Sequence, residues 1–324
     1  MPRIARVVTT SLAYRLGPTT EKNRERTLDL LDLACTKKPD LVVLPENFLS
    51  ANVPGDHADK AETVPGATTD ACAKRAREHR TYVVCPITNA REGAYYNSAV
   101  FIDRDGQIAG VYDKIHPVTS VHDHTLFERG MTPGPDAPTV FDLDFGRVGC
   151  QICFDIGFPT SWADLGRAGA EMVVWPSAYD GGFPLRMYAY LHSYYVISAV
   201  RSSTSTMVDP LGQIFATTNE RMRIAARAID LDYIVCHSDF HSGLPEKLVR
   251  DLGDAVAVTV CRPEGRFMVS SNSDETPLSV LEDRYGLSSN AEYHARHLPA
   301  YEALRAGRKP EPVVTPYAGR PPYG

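Results

Sequence analysis

Leu41-Val42-Val43-Leu44-Pro45-Glu46-Asn47-Phe48 is the stretch that decides the fold. Residues 41–44 are a short, unbroken apolar run, the pattern of a strand covered on both faces by helices or by a second sheet. Pro45 stops the run, and Glu46 stands just past its end. Towards the N-terminus, residues 4–10 (IARVVTT) read as a strand, and Thr19-Thr20-Glu21 opens a helix. Leu28, Leu31 and Cys35 share one face of that helix at spacings of three and four. Towards the C-terminus a helix is predicted over about 67–79, followed by the strand Tyr82-Val83-Val84-Cys85. Two strands between 95 and 113 flank Asp103-Arg104-Asp105-Gly106, a hairpin turn signal. Strand-like runs recur at Val148–Cys153, Glu171–Trp175, Tyr195–Val200 and Ala225–Ile229, with Gly169 as a helix end. Strands alternating with helical stretches predict α/β layering.

The 324 residues are 43% hydrophobic and 23% charged, enough apolar material for a sizeable core. A formal charge of −6 excludes the basic footprint of a nucleic-acid binder. No run approaches the roughly 18 apolar residues of a membrane helix, and the N-terminus lacks a secretory pattern. The seven cysteines are odd in number and scattered, several in apolar runs, which predicts a reduced, cytoplasmic protein. Texture changes after about Cys261, and residues 307–324 (GRKPEPVVTPYAGRPPYG) read as an extended tail.

Three segments place a reactive side chain at the end of an apolar strand, where open α/β sheets put their ligands. They are LVVLPENF with Glu46, VYDKIHPV with Lys114 and GRVGCQICFDIGFP with Cys153. Each alone has a plain alternative: a solvated loop carboxylate, a surface amine, a core thiol. Together a thiol, an amine and a carboxylate can perform acyl transfer, as nucleophile, oxyanion partner and proton shuttle.

In these words and their order the chain resembles the nitrilase superfamily, carbon–nitrogen hydrolases with a Glu-Lys-Cys triad. The resemblance spans roughly residues 3–260 and extends to GAEMVVWPSAY, NSAVFIDRDGQIAGVYDK and MVDPLGQIFATT. It implies that Cys153 is the nucleophile, Glu46 the general base and Lys114 the oxyanion stabiliser. Glu128, in LFERGMTPG, is similar to a second glutamate that orients the lysine. The backbone N–H of Phe154 would share the oxyanion, and Tyr179 would touch substrate. The implied fold is a four-layer α-β-β-α sandwich over residues 1–262, with 263–324 an extended C-terminal arm that joins copies of the chain into a homodimer or larger homo-oligomer. Val313, Val314, Tyr317 and Tyr323 would be the arm's apolar contacts. One departure is plain: where many amidases of the superfamily carry Arg-Ala-x-Glu-Asn, this chain has Tyr188 to Val196 without a charged pair. That leaves the substrate branch open.

Other signals carry less. Cys150 and Cys153 form one CxxC without a second, and residues three apart on a strand point to opposite faces. His116, His122 and His124 read as loop residues, Tyr188, Tyr190, Tyr194 and Tyr195 as core or subunit contact. No GxGxxG, GxxxxGK or GxSxG occurs, so no nucleotide cofactor, no metal and no serine nucleophile are implied. The expected activity is hydrolysis of a small amide or N-carbamoyl compound through a Cys153 thioester, with a nitrilase, an N-acyltransferase or a non-catalytic binding protein as alternatives. Glu46, Glu128 and Lys114 sum to about one negative charge. A substrate carboxylate is therefore expected farther out, near Arg186, Arg201 or the histidines around His122.

Overall fold

Residues 41–43 are a strand in the computed structural model of the protein, which describes residues 3–239, 241–261, 263 and 265–312. The chain divides into two compact units, one of Ala5–Ile229 and one of Asp230 onward with the first few residues. The larger begins with β1 (Ile4–Thr10), α1 (Thr20–Cys35), β2 (Leu41–Val43), α2 (Ala67–His79), β3 (Tyr82–Arg91), β4 (Ala94–Ile102) and β5 (Ile108–Asp113). It continues with β6 (Val140–Leu143), β7 (Gly146–Cys150), α3 (Pro159–Arg167), β8 (Met172–Ser177), α4 (Phe183–His192), β9 (Tyr195–Val200), β10 (Thr206–Val208), β11 (Ile214–Thr217) and β12 (Ile224–Asp230).

Two six-stranded sheets result, ordered β12-β1-β2-β3-β4-β5 and β11-β10-β9-β8-β7-β6. β1, β2 and β3 run parallel, as do β7, β8 and β9. β4 and β5 each reverse direction, so β5 points the same way as β2. Both therefore end at one edge of the first sheet, while β7, β8 and β9 end together at one edge of the second.

Thr19 caps α1 by accepting a hydrogen bond from the Lys22 N–H. Leu30, Leu31, Ala34 and Cys35 of α1 and Cys72, Ala73 and Ala76 of α2 bury against Val8, Val42 and Val83, with Leu28 at the margin. Trp162 and Leu165 of α3 and Leu185, Tyr188 and Ala189 of α4 cover Val173, Trp175 and Val196 of the second sheet. Trp162 stacks on Tyr188 at 4.4 Å, and Tyr194 and Tyr195 are buried as well. Side chains alternate along a strand, so the other face of each sheet meets its partner sheet. There Phe101 of β4 stacks on Phe141 of β6 at 4.0 Å, and the Ser205 hydroxyl donates to the Thr10 carbonyl at 2.7 Å. The order is helices, sheet, sheet, helices, as the resemblance implies.

β3 runs on to Arg91 instead of stopping at Cys85. Val84 offers its carbonyl to Leu44, so by alternation Pro86 turns its missing N–H to the same side, where β2 has already ended. The strand expected over 148–153 stops at Cys150.

The smaller unit contains β13 (Tyr233–His237), α5 (Leu244–Leu252), β14 (Val256–Cys261), β15 (Arg266–Ser271), α6 (Leu278–Tyr285), α7 (Asn290–Ala295) and α8 (Leu298–Arg305). Two expectations are corrected here. The divide falls between Ile229 and Asp230, not at 262, because β13 pairs antiparallel with β15 from Tyr233↔Ser270 to His237↔Arg266. Nor are residues 263–305 an extended arm. Leu278, Leu281 and Tyr285, at helical spacing, bury against Leu248, Phe267 and Val269. Val313, Val314, Tyr317 and Tyr323 lie outside the described residues. Among those described, no helix is long and apolar enough to cross a membrane.

Candidate active site

Glu46 lies just past β2 and Lys114 directly after β5, so both emerge from the same edge of the first sheet. Both are almost fully buried. The Lys114 Nζ donates to Glu46 Oε1 at 3.3 Å and to Glu128 Oε1 at 2.5 Å. Asn97, on β4, donates its amide to the same Glu46 oxygen at 2.8 Å. The other oxygen, Oε2, is buried and accepts no hydrogen bond from any described residue. Arg201, directly after β9, brings Nη2 to 3.7 Å from it. Burial opposes the Glu46 charge, but Lys114, Arg201 and Asn97 outweigh it and hold the carboxyl below the usual range. Burial likewise opposes the ammonium, yet Glu46, Cys153 and Glu128 push Lys114 above an ordinary lysine.

Glu128 reaches this cluster from the loop between β5 and β6. Its Oε1 also accepts the Val118 N–H at 3.1 Å, and its carbonyl accepts from His57 Nε2 at 2.7 Å. Glu128 and Arg129 both have positive φ, +40° and +62°. Two successive left-handed residues are costly for side chains with a Cβ, and the bonds from Lys114, Val118 and His57 hold the loop there.

Cys153 opens a 3-10 turn, Cys153–Gly157, three residues beyond the end of β7. Its φ is +47°, a strained conformation that turns the side chain out of the strand's alternation. Asp155 fixes the turn. Completely buried, it accepts the Ile152 N–H at 2.8 Å, the Tyr112 hydroxyl at 2.7 Å and the His116 N–H at 2.9 Å, with His116 Nδ1 also at 2.9 Å. Trp175 donates its indole N–H to the Cys153 carbonyl at 3.1 Å. Cys150 is buried in the sheet and Cys153 is partly accessible, so the CxxC spacing does not make a pair. Burial and the Glu46 carboxylate push the Cys153 thiol up to about 12, against Lys114, the Ala178 backbone and the Ser177 hydroxyl. Contrary to the simple view that a nearby lysine lowers this value, the carboxylate and the dry surroundings prevail. Removing Asp155 strands several buried donors, so Asp155→Ala should cost about 2–5 kcal/mol. Chemical denaturation would show it as a lowered midpoint with unchanged slope; an unchanged midpoint would mean the turn is held otherwise.

The structure thus brings Glu46, Lys114, Glu128 and Cys153 into one electrostatically coupled group. Tyr179 belongs beside it: its phenol is perturbed upward by burial and then by Cys153 and Glu46, against Lys114. Phe154 is the second residue of the 3-10 turn and is 40% exposed. Of the groups expected to reach a substrate carboxylate, Arg186 is committed to the Gly212 carbonyl at 2.8 Å, and His122 and His124 are exposed on their loop. Arg201 stands at Glu46 itself rather than farther out, so the cluster holds two cations beside two carboxylates. Asn97, His57 and Ser177 escape sequence reading, since a polar residue in a strand or loop carries no local mark of its partner. Among the described residues no group of three or more His, Cys, Asp and Glu is arranged to hold a metal ion.

The carbon-nitrogen hydrolase family model matches residues 10–235, which contain all of these side chains. The chain belongs to the carbon-nitrogen hydrolase family. It is 27% identical over 241 residues to the omega-amidase NIT2 of Xenopus tropicalis, covering 68% of this chain and 87% of that one. It is equally 27% identical over 240 residues to the deaminated glutathione amidase of a Synechocystis species, covering 66% and 88%. In fold it is similar to Nit3 of Saccharomyces cerevisiae, described as a member of branch 10 of the nitrilase superfamily. The TM-score there is 0.60 at 22% identity, over 70% of this chain and 90% of that one.

Proposed function

We propose that this carbon–nitrogen hydrolase cleaves a non-peptide amide or N-carbamoyl bond through a thioester on Cys153. One observation carries this: Glu46 spends one oxygen on Lys114 and Asn97 and keeps Oε2 unbonded, in a buried group that also contains the thiol. A base with one lone-pair face anchored and the other free is oriented for proton transfer.

Glu46 Oε2 takes the Cys153 proton as sulfur attacks the carbonyl carbon, and the C=O electron pair moves onto oxygen. Lys114 and the Phe154 N–H hold that oxyanion. Glu128, bonded to Lys114, keeps the ammonium in place. The tetrahedral species collapses, the C–N bond breaks, and Glu46 returns the proton to the departing ammonia or amine. Water then gives a proton to Glu46 and attacks the thioester, and the thiolate leaves and is reprotonated. The relatives named omega-amidase and deaminated glutathione amidase support an amide over a nitrile.

Ammonia release from an amide, a ureido compound and a nitrile sharing one side chain tests the proposal. Primary amides and N-carbamoyl amines should lead and nitriles follow. A nitrile converted to its acid with kcat/KM well above its amide would favour a nitrilase, transfer to hydroxylamine in place of water an acyltransferase, and no turnover of any kind a binding protein.

Alkylation gives a further expected result. A free thiol ionises near ~8.5, whereas Cys153 is pushed up to about 12 with the neighbouring Glu46 ionised. The iodoacetamide rate at Cys153 should therefore show no inflection near pH ~8.5. A thiol titrating there would sink the assignment of Glu46 as its base.

A further inference from the structure

The larger unit has a cavity that none of the side chains gathered around Cys153 lines. It holds about 370 Å³ and is lined by Ser203, Thr204, Asn219, Glu220 and Arg221, from the loops joining β9 to β10 and β11 to β12. Hydrogen bonds tie these loops together. Thr218 donates its hydroxyl to the Ser203 carbonyl at 2.9 Å and its N–H to the Ser205 carbonyl at 2.9 Å. Asn219 Oδ1 accepts the N–H groups of Arg221 and Met222, each at 2.9 Å. The segment after β1 joins them: the N–H groups of Ala13 and Tyr14 donate to the Ser202 and Arg201 carbonyls at 3.0 and 2.9 Å. Ala13 and Tyr14 have φ of +48° and +58°, and two successive left-handed residues with a Cβ are costly. That turn brings in Arg15, whose guanidinium donates to the Glu220 carbonyl at 3.0 Å.

The lining offers mostly donors. The Asn219 amide nitrogen makes no hydrogen bond to a described residue, its oxygen being taken by the turn. The Ser203 and Thr204 hydroxyls lie 3.4 Å apart, and a bond between them uses one of their two hydrogens and leaves the other. The Arg221 guanidinium has no hydrogen bond or ion pair with a described residue, and the same holds for Arg223. Burial and the Arg15 charge pull Arg223 below an ordinary arginine, against Asp29 of α1. Glu220 is the one carboxylate among the lining residues. The chain as a whole carries a charge of −6, so three neighbouring arginines run against its average. Like charges held together without a counter-ion in contact are costly, and a bound anion would relieve them.

We infer that this cavity binds a phosphate group, as free phosphate or as the head of a small phosphomonoester, at a site separate from the catalytic one. A carboxylate has two oxygens, which a single guanidinium fork fills. A guanidinium, an amide nitrogen and a hydroxyl on different lining residues suit the several oxygens of a tetrahedral oxyanion, and arginine is the cation of choice for phosphate. Glu220 opposes the anion and limits the affinity. The site stands whether or not Cys153 is a nucleophile.

Calorimetry on the full chain at fixed ionic strength tests this, with inorganic phosphate, glycerol 3-phosphate, acetate and chloride as probes. Phosphate or the monoester should bind a single site per chain about 10-fold or more tighter than acetate and chloride, the size of one charge-assisted hydrogen bond. Arg221→Gln should weaken that binding by about 10-fold and Ser203→Ala by about 3-fold, whereas Glu220→Gln should tighten it. Arg305→Gln, at an exposed arginine of the smaller unit, should change nothing. Arg221 is exposed, so its replacement should leave the fold intact, as circular dichroism would show. Equal affinity for phosphate and the monoester would name free phosphate as the ligand, and tighter binding of the monoester an esterified one; both sustain the site. Weak binding alike for all four anions means an adventitious ion only and overturns it. So does phosphate binding that Arg221→Gln and Ser203→Ala leave intact, which would place the anion elsewhere.

Discussion

Cys153→Ala should reduce hydrolysis of a proven amide by about 10⁴-fold or more, the scale on which removing a covalent nucleophile from a cooperating group acts. The fold should survive. Cys153 is partly accessible and takes no part in the core that Trp162, Trp175 and Tyr188 build beneath it. The turn is held by Asp155 and by the Trp175 bond to the Cys153 carbonyl, neither of which needs the sulfur. The checks are steady-state kinetics with circular dichroism, and intact mass after quenching wild type with a slow amide. An acyl adduct should appear on wild type and be missing from the variant. Wild-type turnover by Cys153→Ala would rule out the thioester route.

Glu46→Gln and Lys114→Met should each lower kcat/KM by about 10²- to 10⁴-fold, the range for a positioned general base or a single oxyanion donor. The two variants differ in stability. Glutamine preserves the Glu46 shape and its contact with Asn97, so Glu46→Gln should fold well. Methionine removes the cation from between Glu46 and Glu128, leaving one carboxylate buried without its main partner. Breaking such a pair costs about 3–5 kcal/mol, and Lys114→Met should unfold at lower temperature accordingly. Neither loss should add to that of Cys153→Ala, because the residues act as a unit. A double variant slower than Cys153→Ala by the full factor of the second change would show that the groups serve separate sites.

Local pattern carried the class of fold and the identities of the principal groups. The apolar run at 41–44, the strand at 4–10 and the helix over 67–79 have one hydrophobic requirement each, and a strand buried on both faces can only be met by layers above and below it. Glu46, Lys114 and Cys153 were visible because each follows a strand that stops abruptly. The order of their motifs does not depend on contacts. The helices after 278 were hidden by a Pro- and Gly-rich tail that drew attention to the wrong feature, although Leu278, Leu281 and Tyr285 carry helical spacing.

What only the tertiary structure decided are the partners across long sequence separations. Glu46 and Asn97 meet because β2 and β4 lie in one sheet, and no local rule links positions 46 and 97. Arg201 was legible as a cation in the sequence, but its place at Glu46 Oε2 depends on β9 ending beside β8. Its distance from Glu46 changes the charge balance of the site. The unit boundary at Ile229 is of the same kind, since β13 finds its partner β15 across an intervening helix and strand. The thiol shows the difference most clearly. Its identity is a matter of sequence, yet whether it is raised or lowered is a contest between burial, Glu46 and Lys114. Coulomb interactions depend on distance and on the medium between the charges, and both exist only once the chain has folded.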